Sequence, residues 1–198
     1  VKNELITEAR GVLKNGNTIT KILNFSNIQL KVCFEVVGLQ KIIVIAGAGH
    51  IAFPLYEMAK ILNFSVIILD DREEYANKKR FPQADKIIAA PFVESLKKLD
   101  LNSNTYVVLI TRGHVYDRDY LKVVLEKDIA YIGMICSKRR KASVMKLMEE
   151  EGYKKKQLSR IFAPIGLNIG GETPQEIALS IISEIVAVNN HGKEHVLD

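Results

Sequence analysis

Two Gly-His pairs, an acid at the end of an apolar run and a cluster of cations are the residues of this chain whose types and spacing could do chemistry. Gly47-Ala48-Gly49-His50-Ile51-Ala52 fits the G-x-G-x-x-G/A pattern between a strand-like run and a helix-like one. In that pattern the first glycine permits a tight turn, the second removes a side chain where a pyrophosphate approaches, and the small third residue lets helix and strand pack closely. The N–H groups opening the helix then face the anion. Asp70 ends the next apolar run, where a carboxylate accepts a ribose hydroxyl in a dinucleotide site. Arg72 could pair a 2′-phosphate and so favour NADP, whereas Asp70 and Asp71 would repel that phosphate, and NAD and NADP both stay open. The plain alternative is a strand-to-helix turn whose glycines serve sterics alone.

The second pair lies in Thr111-Arg112-Gly113-His114. In a doubly wound sheet of order 3-2-1-4-5 the first and fourth strands are neighbours, and their carboxyl ends flank the ligand crevice. Thr111, Gly113 and His114 are therefore expected to face His50 across it. Two imidazoles make a poor metal cage, so hydrogen bonding or proton handling ranks above zinc ligation. Each histidine could equally cap a helix or meet solvent. Cys136 precedes Ser137, a natural N-cap, and Lys138, Arg139, Arg140 and Lys141 then crowd the first turn of a helix that finishes Glu149-Glu150-Glu151. Both charge placements oppose the helix dipole, by about 0.3–1 kcal/mol for each well-placed charge. A bound anion at Ser137, Lys138 and Arg139 would reverse the sign at that end; a solvated cluster is the alternative. Lys138 and Arg139 would lower the pKa of a reactive Cys136, although a cysteine there also suits a small buried hydrophobe.

The elements that must position these groups follow from hydrophobic patterning. Residues 41–46, 65–70, 85–90, 105–111 and 130–136 are continuous apolar runs, as expected of parallel strands covered on both faces. Helix-period segments lie between them at 51–62, 73–80, 93–99, 117–127 and 137–151. Thr173-Pro174-Gln175-Glu176 opens the last helix with an N-cap, a proline at the first helical position and a capping-box glutamate. This alternation predicts an α/β, doubly wound parallel sheet over residues 41–198. Residues 1–40 read as a small β-rich appendage, a helix near 5–13 followed by two strand-like runs joined at Ser26-Asn27. The segment 163–172 is too glycine-rich for an element interior and reads as a shaped loop or a plain connector.

Composition narrows the function classes. The 198 residues are 47% hydrophobic with a net charge of +5, and without basic-aromatic interleaving that balance argues against nucleic acid. No apolar run approaches the roughly 20 residues of a membrane span, and the first residues lack the order of a signal peptide, so the chain is expected to be soluble and cytoplasmic. Cys33 and Cys136 have no C-x-x-C partner and encode neither a disulfide framework nor a zinc knuckle. An edge strand within 18–37 could pair across a two-fold axis to give a homodimer.

The segments GAGHIA, ILDDREEYANKKRFPQAD, LITRGHVYDRDYL, YIGMICSKRRK and APIGLNIGGETPQEIALSIISEIVAV, in that order, resemble the Rossmann domain of the xanthine dehydrogenase accessory factors over about residues 41–188. The resemblance implies a cytoplasmic maturation factor that protects or passes on the molybdenum cofactor, molybdopterin, for a client hydroxylase of the xanthine dehydrogenase type. It implies a nucleotide or pterin site at Gly47, Gly49, His50, Ala52, Asp70, Arg72, Thr111, Gly113, His114 and Ser137 to Arg139. Two departures stand out: residues 1–40 are too short for the family's usual N-terminal domain, and position 136 is cysteine where the family pattern usually has glycine. Other readings are an NAD(P)-dependent oxidoreductase with His50 or His114 as proton donor, and an NAD(P)-sensing regulatory domain. Against the oxidoreductase, no Tyr-x-x-x-Lys pair is expected in the crevice region and little chain remains for a substrate domain.

Overall fold

A computed structural model describes residues 2–15, 19–25, 28–35, 40–111 and 117–192. The chain divides into two compact units, residues 1–39 and 40–198. In the first, helix α1 (Lys2–Asn15) precedes an antiparallel hairpin of β1 (Ile19–Phe25) and β2 (Ile28–Phe34). Val12, Leu23 and Phe25 are its buried apolar side chains among the described residues.

The second unit is built on a six-stranded parallel sheet. Its elements run β3 (Ile42–Ala46), α2 (Ala52–Ile61), β4 (Ser65–Asp70), β5 (Lys86–Ala89), α3 (Phe92–Lys98), β6 (Thr105–Leu109), α4 (Asp117–Leu125), β7 (Tyr131–Met134), α5 (Lys138–Glu150), α6 (Lys155–Leu158), β8 (Ile161–Phe162) and α7 (Pro174–His191). The spatial order is β5-β4-β3-β6-β7-β8, with the chain reversing direction of travel between β3 and β6. Strand β3 shows why its apolar run is continuous. Ile43 and Ile45 join a core with Leu55, Ala59, Ile181 and Ile185 of α2 and α7, while Val44 and Ala46 join another with Leu96, Leu121 and Val144 of α3, α4 and α5. Alternate side chains point to opposite faces, and both faces are covered.

Register then gathers the functional loops. Ala46 pairs with Leu69 on one side and Leu109 on the other, so β3, β4 and β6 end level at one edge of the sheet. The capping box forms as its residues predict: the Thr173 hydroxyl accepts the Glu176 N–H, and the Glu176 carboxylate accepts the Thr173 N–H. Ser137 likewise caps α5 by accepting the Arg140 N–H at 3.1 Å.

Two expectations change. Residues 73–80 form successive turns, not a helix, because the Asn77 side chain donates to the Glu73 and Glu74 carbonyls and accepts the Arg80 N–H, competing with the helical ladder. Strand β8, unforeseen, adds Ile161 and Phe162 alongside Ile132 and Gly133; two residues are too few to show a period. One of the carboxylates closing α5 finds partners on α4: Glu151 takes Arg118 at 3.1 Å and Lys122 at 2.7 Å. Among the described residues no helix is long and apolar enough to cross a membrane.

Candidate functional site

The turn after β3 is pinned from both sides. Gly47 N–H donates to the Leu69 carbonyl at 2.8 Å, and the Ile110 N–H donates to the Ala46 carbonyl at 2.8 Å. The close approach of the 110–111 backbone decides the first glycine. A Cβ on Gly47 would lie 2.5 Å from the Ile110 carbonyl oxygen, and its φ of 110° is one that L side chains rarely adopt. Gly49 differs, because a Cβ there would meet nothing within 4 Å. The protein's own packing therefore gives no reason for a glycine at 49, and the missing side chain leaves open space at the mouth of a cleft. That cleft, about 220 Å³, is lined by Gly49, His50, Ile51, Ile110, Thr111 and Ile135, the carboxyl ends of β3, β6 and β7.

Helix α2 opens beside this cleft without a side-chain cap: Ile51, in helical conformation, holds the N-cap position. Ala52 is fully buried against the sheet, which its small size allows. His50 is exposed and Thr111 half-buried in the same cleft. Arg112, Gly113 and His114 lie outside the described residues, so the expected facing of the two histidines does too.

Asp70 is more engaged than its sequence position suggests. Its carboxylate is 1% exposed, accepts the Ala48 N–H at 2.7 Å, and receives the Arg72 side chain through Nε at 2.8 Å and Nη2 at 3.0 Å. Burial alone would raise its pKa, but the Arg72 side chain, the Ala48 and Arg72 N–H groups and the Arg72 charge together hold it below the ordinary value. Arg80, which sequence reasoning did not single out, crosses to the glycine turn and donates to the Ala48 carbonyl at 2.7 Å and the Tyr75 carbonyl at 3.0 Å. No local pattern marks it, because its acceptors are contributed by the fold.

Ser137, Lys138 and Arg139 follow Ile135, which lines the 49–51 cleft, but are not themselves among its lining residues. Lys138 lines a separate hollow of about 450 Å³ with the loop 164–171, Ile177 and Ser180. The buried Glu184 of α7 shapes that loop by accepting the Gly166 N–H at 3.1 Å and the Tyr131 hydroxyl. Sequence reasoning missed Glu184, which there looks like one more helical acid. Arg140 contacts the buried Asp117 at 3.4 Å.

Of the two readings of Cys136, the partly buried hydrophobe fits its surroundings better than the activated thiol. Its thiol is half-buried at the end of β7, and burial, followed by the negative Asp117, pushes its pKa up despite Lys141 and Arg140. Alkylation of Cys136 is expected to be slow at neutral pH and to accelerate only above the ordinary thiol range; mass-resolved iodoacetamide rates against pH check this, and rapid labelling near pH 7 contradicts it. Among the described residues no group of three His, Cys, Asp or Glu side chains could hold a metal ion.

Tyr56 and Lys60 do stand at Tyr-x-x-x-Lys spacing on α2, but outside this cleft. The Tyr56 hydroxyl accepts the Gln83 N–H, and Lys60 pairs with Asp85, which accepts the Val66 N–H near the start of β4.

Comparison with known proteins agrees with the fold. The XdhC Rossmann domain family matches residues 43–185. The chain is 32% identical over 164 residues to the uncharacterized protein YqeB of Escherichia coli, covering 82% of this chain and 30% of that one. It is 30% identical over 144 residues to a probable xanthine dehydrogenase subunit of Bacillus subtilis, covering 73% and 42%. The crystal structure of a xanthine dehydrogenase from Bacillus halodurans superposes with a TM-score of 0.69 at 27% identity, over 84% of this chain and 46% of that one. The chain thus spans less than half the length of each of these proteins.

Proposed function

The chain belongs to the XdhC Rossmann domain family, and on that premise we propose that it binds a nucleotide at the 47–52 turn as an accessory module in the maturation of a molybdenum hydroxylase of the xanthine dehydrogenase type. Gly49 is the observation that carries the reading: a position that needs no glycine for folding lacks a side chain where a phosphate would approach. The uncapped start of α2 supports it, since backbone N–H groups there suit an anion. The ligand classes that fit a phosphate-seeking turn are NAD, NADP and the molybdenum pterin cofactor, which carries a phosphate or a dinucleotide. Gly49 and the first N–H groups of α2 would hold the pyrophosphate, with His50 and Thr111 at the rim of the cleft. A dinucleotide would supply redox state or a binding handle; the pterin would supply the cargo that a client enzyme receives.

Isothermal titration calorimetry with NAD and NADP, and mass spectrometry of small molecules released from the natively purified protein, test the reading. Gly49→Val is expected to weaken nucleotide binding at least about tenfold, because the isopropyl group enters the approach path, while thermal stability stays close to wild type. Undiminished affinity in Gly49→Val would remove the turn from the site. Hydride transfer by the isolated chain would replace the accessory role with an oxidoreductase one.

A further inference from the structure

Asp70 stands where a dinucleotide-binding strand offers its carboxylate to the adenosine ribose, yet its acceptor capacity is already filled. An ionised carboxylate has about four lone-pair sites. Oδ1 takes the Arg72 backbone N–H at 3.1 Å and Arg72 Nε at 2.8 Å; Oδ2 takes the Ala48 N–H at 2.7 Å and Arg72 Nη2 at 3.0 Å. A ribose hydroxyl arriving at this buried group would find no acceptor. The unmodified ribose of NAD therefore loses its usual recognition here.

What this edge offers instead is guanidinium. Arg72, 30% exposed, is locked in a two-pronged pairing with Asp70, and its Cζ lies 3.8 Å from the centroid of the Tyr75 ring. Arg80 is fixed by the Ala48 and Tyr75 carbonyls, neutral acceptors that hold the cation at the glycine turn without cancelling its charge. Its Cζ lies 5.1 Å from the same Tyr75 centroid. Asp71 is the opposing charge, 58% exposed and 3.8 Å from Arg72 Nε, and Glu73 and Glu74 are exposed nearby. Solvent and salt screen these exposed acids, whereas Asp70 is already neutralised by its own arginine. The repulsion that Asp70 would exert on a phosphate is thus removed, and Arg80 remains as surplus positive charge beside the turn.

We propose that this edge of the site selects the 2′-phosphorylated dinucleotide, NADP, over NAD, with Arg72 and Arg80 as the specificity-determining residues. The proposal rests on the nucleotide reading above and goes further by naming the ligand. Arginine pairs with phosphate through geometry that lysine does not reproduce, and the Tyr75 ring limits the freedom of both guanidinium groups.

Calorimetric titration of the full chain at physiological salt with NADP, NAD, 2′,5′-ADP and 5′-AMP tests it. NADP is expected to bind at least about tenfold tighter than NAD, the scale of one charge-assisted hydrogen bond, with 2′,5′-ADP likewise ahead of 5′-AMP. Arg80→Gln is expected to lower NADP affinity more than NAD affinity, bringing their ratio toward one, and Arg80→Lys to retain part of the preference. Equal affinities in the wild-type protein, or tighter NAD, overturn the selectivity and leave nucleotide binding standing. Binding of neither dinucleotide overturns both. The wild-type ratio decides the matter even if a variant fails to fold.

Discussion

Gly47→Ala is expected to destabilise the second unit by about 2–6 kcal/mol, a large fraction of the roughly 5–15 kcal/mol that holds a domain folded. Two independent costs combine. The backbone at φ 110° lies where an L side chain is strained, at about 1–3 kcal/mol. The new methyl would also sit 2.5 Å from the Ile110 carbonyl oxygen and 2.7 Å from its carbon, and these are backbone atoms of the strand end that cannot swing aside. Overpacking of this kind costs about 1–3 kcal/mol. Relief would require β3 and β6 to separate just where the Ile110 N–H bonds the Ala46 carbonyl. Gly49→Ala, two positions on, meets open space and is expected to cost under about 1 kcal/mol. Urea denaturation followed by far-ultraviolet circular dichroism separates the two, and equal midpoints for both variants would contradict the close approach of β6 to the turn.

Asp70→Asn is expected to cost about 3 kcal/mol, since it removes one charge of a pair whose acid is buried and turns an amide N–H₂ toward the Arg72 guanidinium. The effect has a pH signature. Asp70 has its folded pKa lowered below the ordinary 3.8, so the folded state binds its proton less readily than the unfolded chain. Its contribution is therefore fully present above the unfolded value and is lost as pH falls from about 4 through the lower folded value. The wild-type protein should lose stability over that interval more steeply than Asp70→Asn, and the two should converge in strong acid. Arg72 stays charged throughout, because its own pKa is raised by the Asp70 hydrogen bond. Denaturant midpoints measured from pH 7 down to about pH 3 check the prediction; parallel curves would mean that Asp70 is not ionised in the folded state or lacks its partner.

The two variants also separate folding from binding at the same turn. Gly47 and Asp70 hold the loop in shape, one by yielding space to β6 and the other by gripping the Ala48 N–H. Gly49 leaves open space beside that frame, and its substitution is expected to change affinity more than stability.

Features set by neighbours along the chain were legible in the amino-acid order alone. The both-face-buried runs declared parallel strands, Gly47-x-Gly49-x-x-Ala52 declared the turn, and Thr173-Pro174 with Glu176 declared the start of α7, because a period, a turn and a cap each involve residues only a few positions apart. Residues 73–80 misled for the complementary reason: one asparagine side chain outcompeted a helical pattern. Only the tertiary structure decided that Asp70 is filled by Arg72 and Ala48, that Arg80 returns to a turn 32 residues earlier, that Lys138 lines a different hollow from His50, and that the Cys136 thiol is raised by burial and Asp117. Hydrogen-bond partners and local dielectric depend on which distant backbone arrives beside a side chain, and that is settled by strand order and register, not by spacing along the chain.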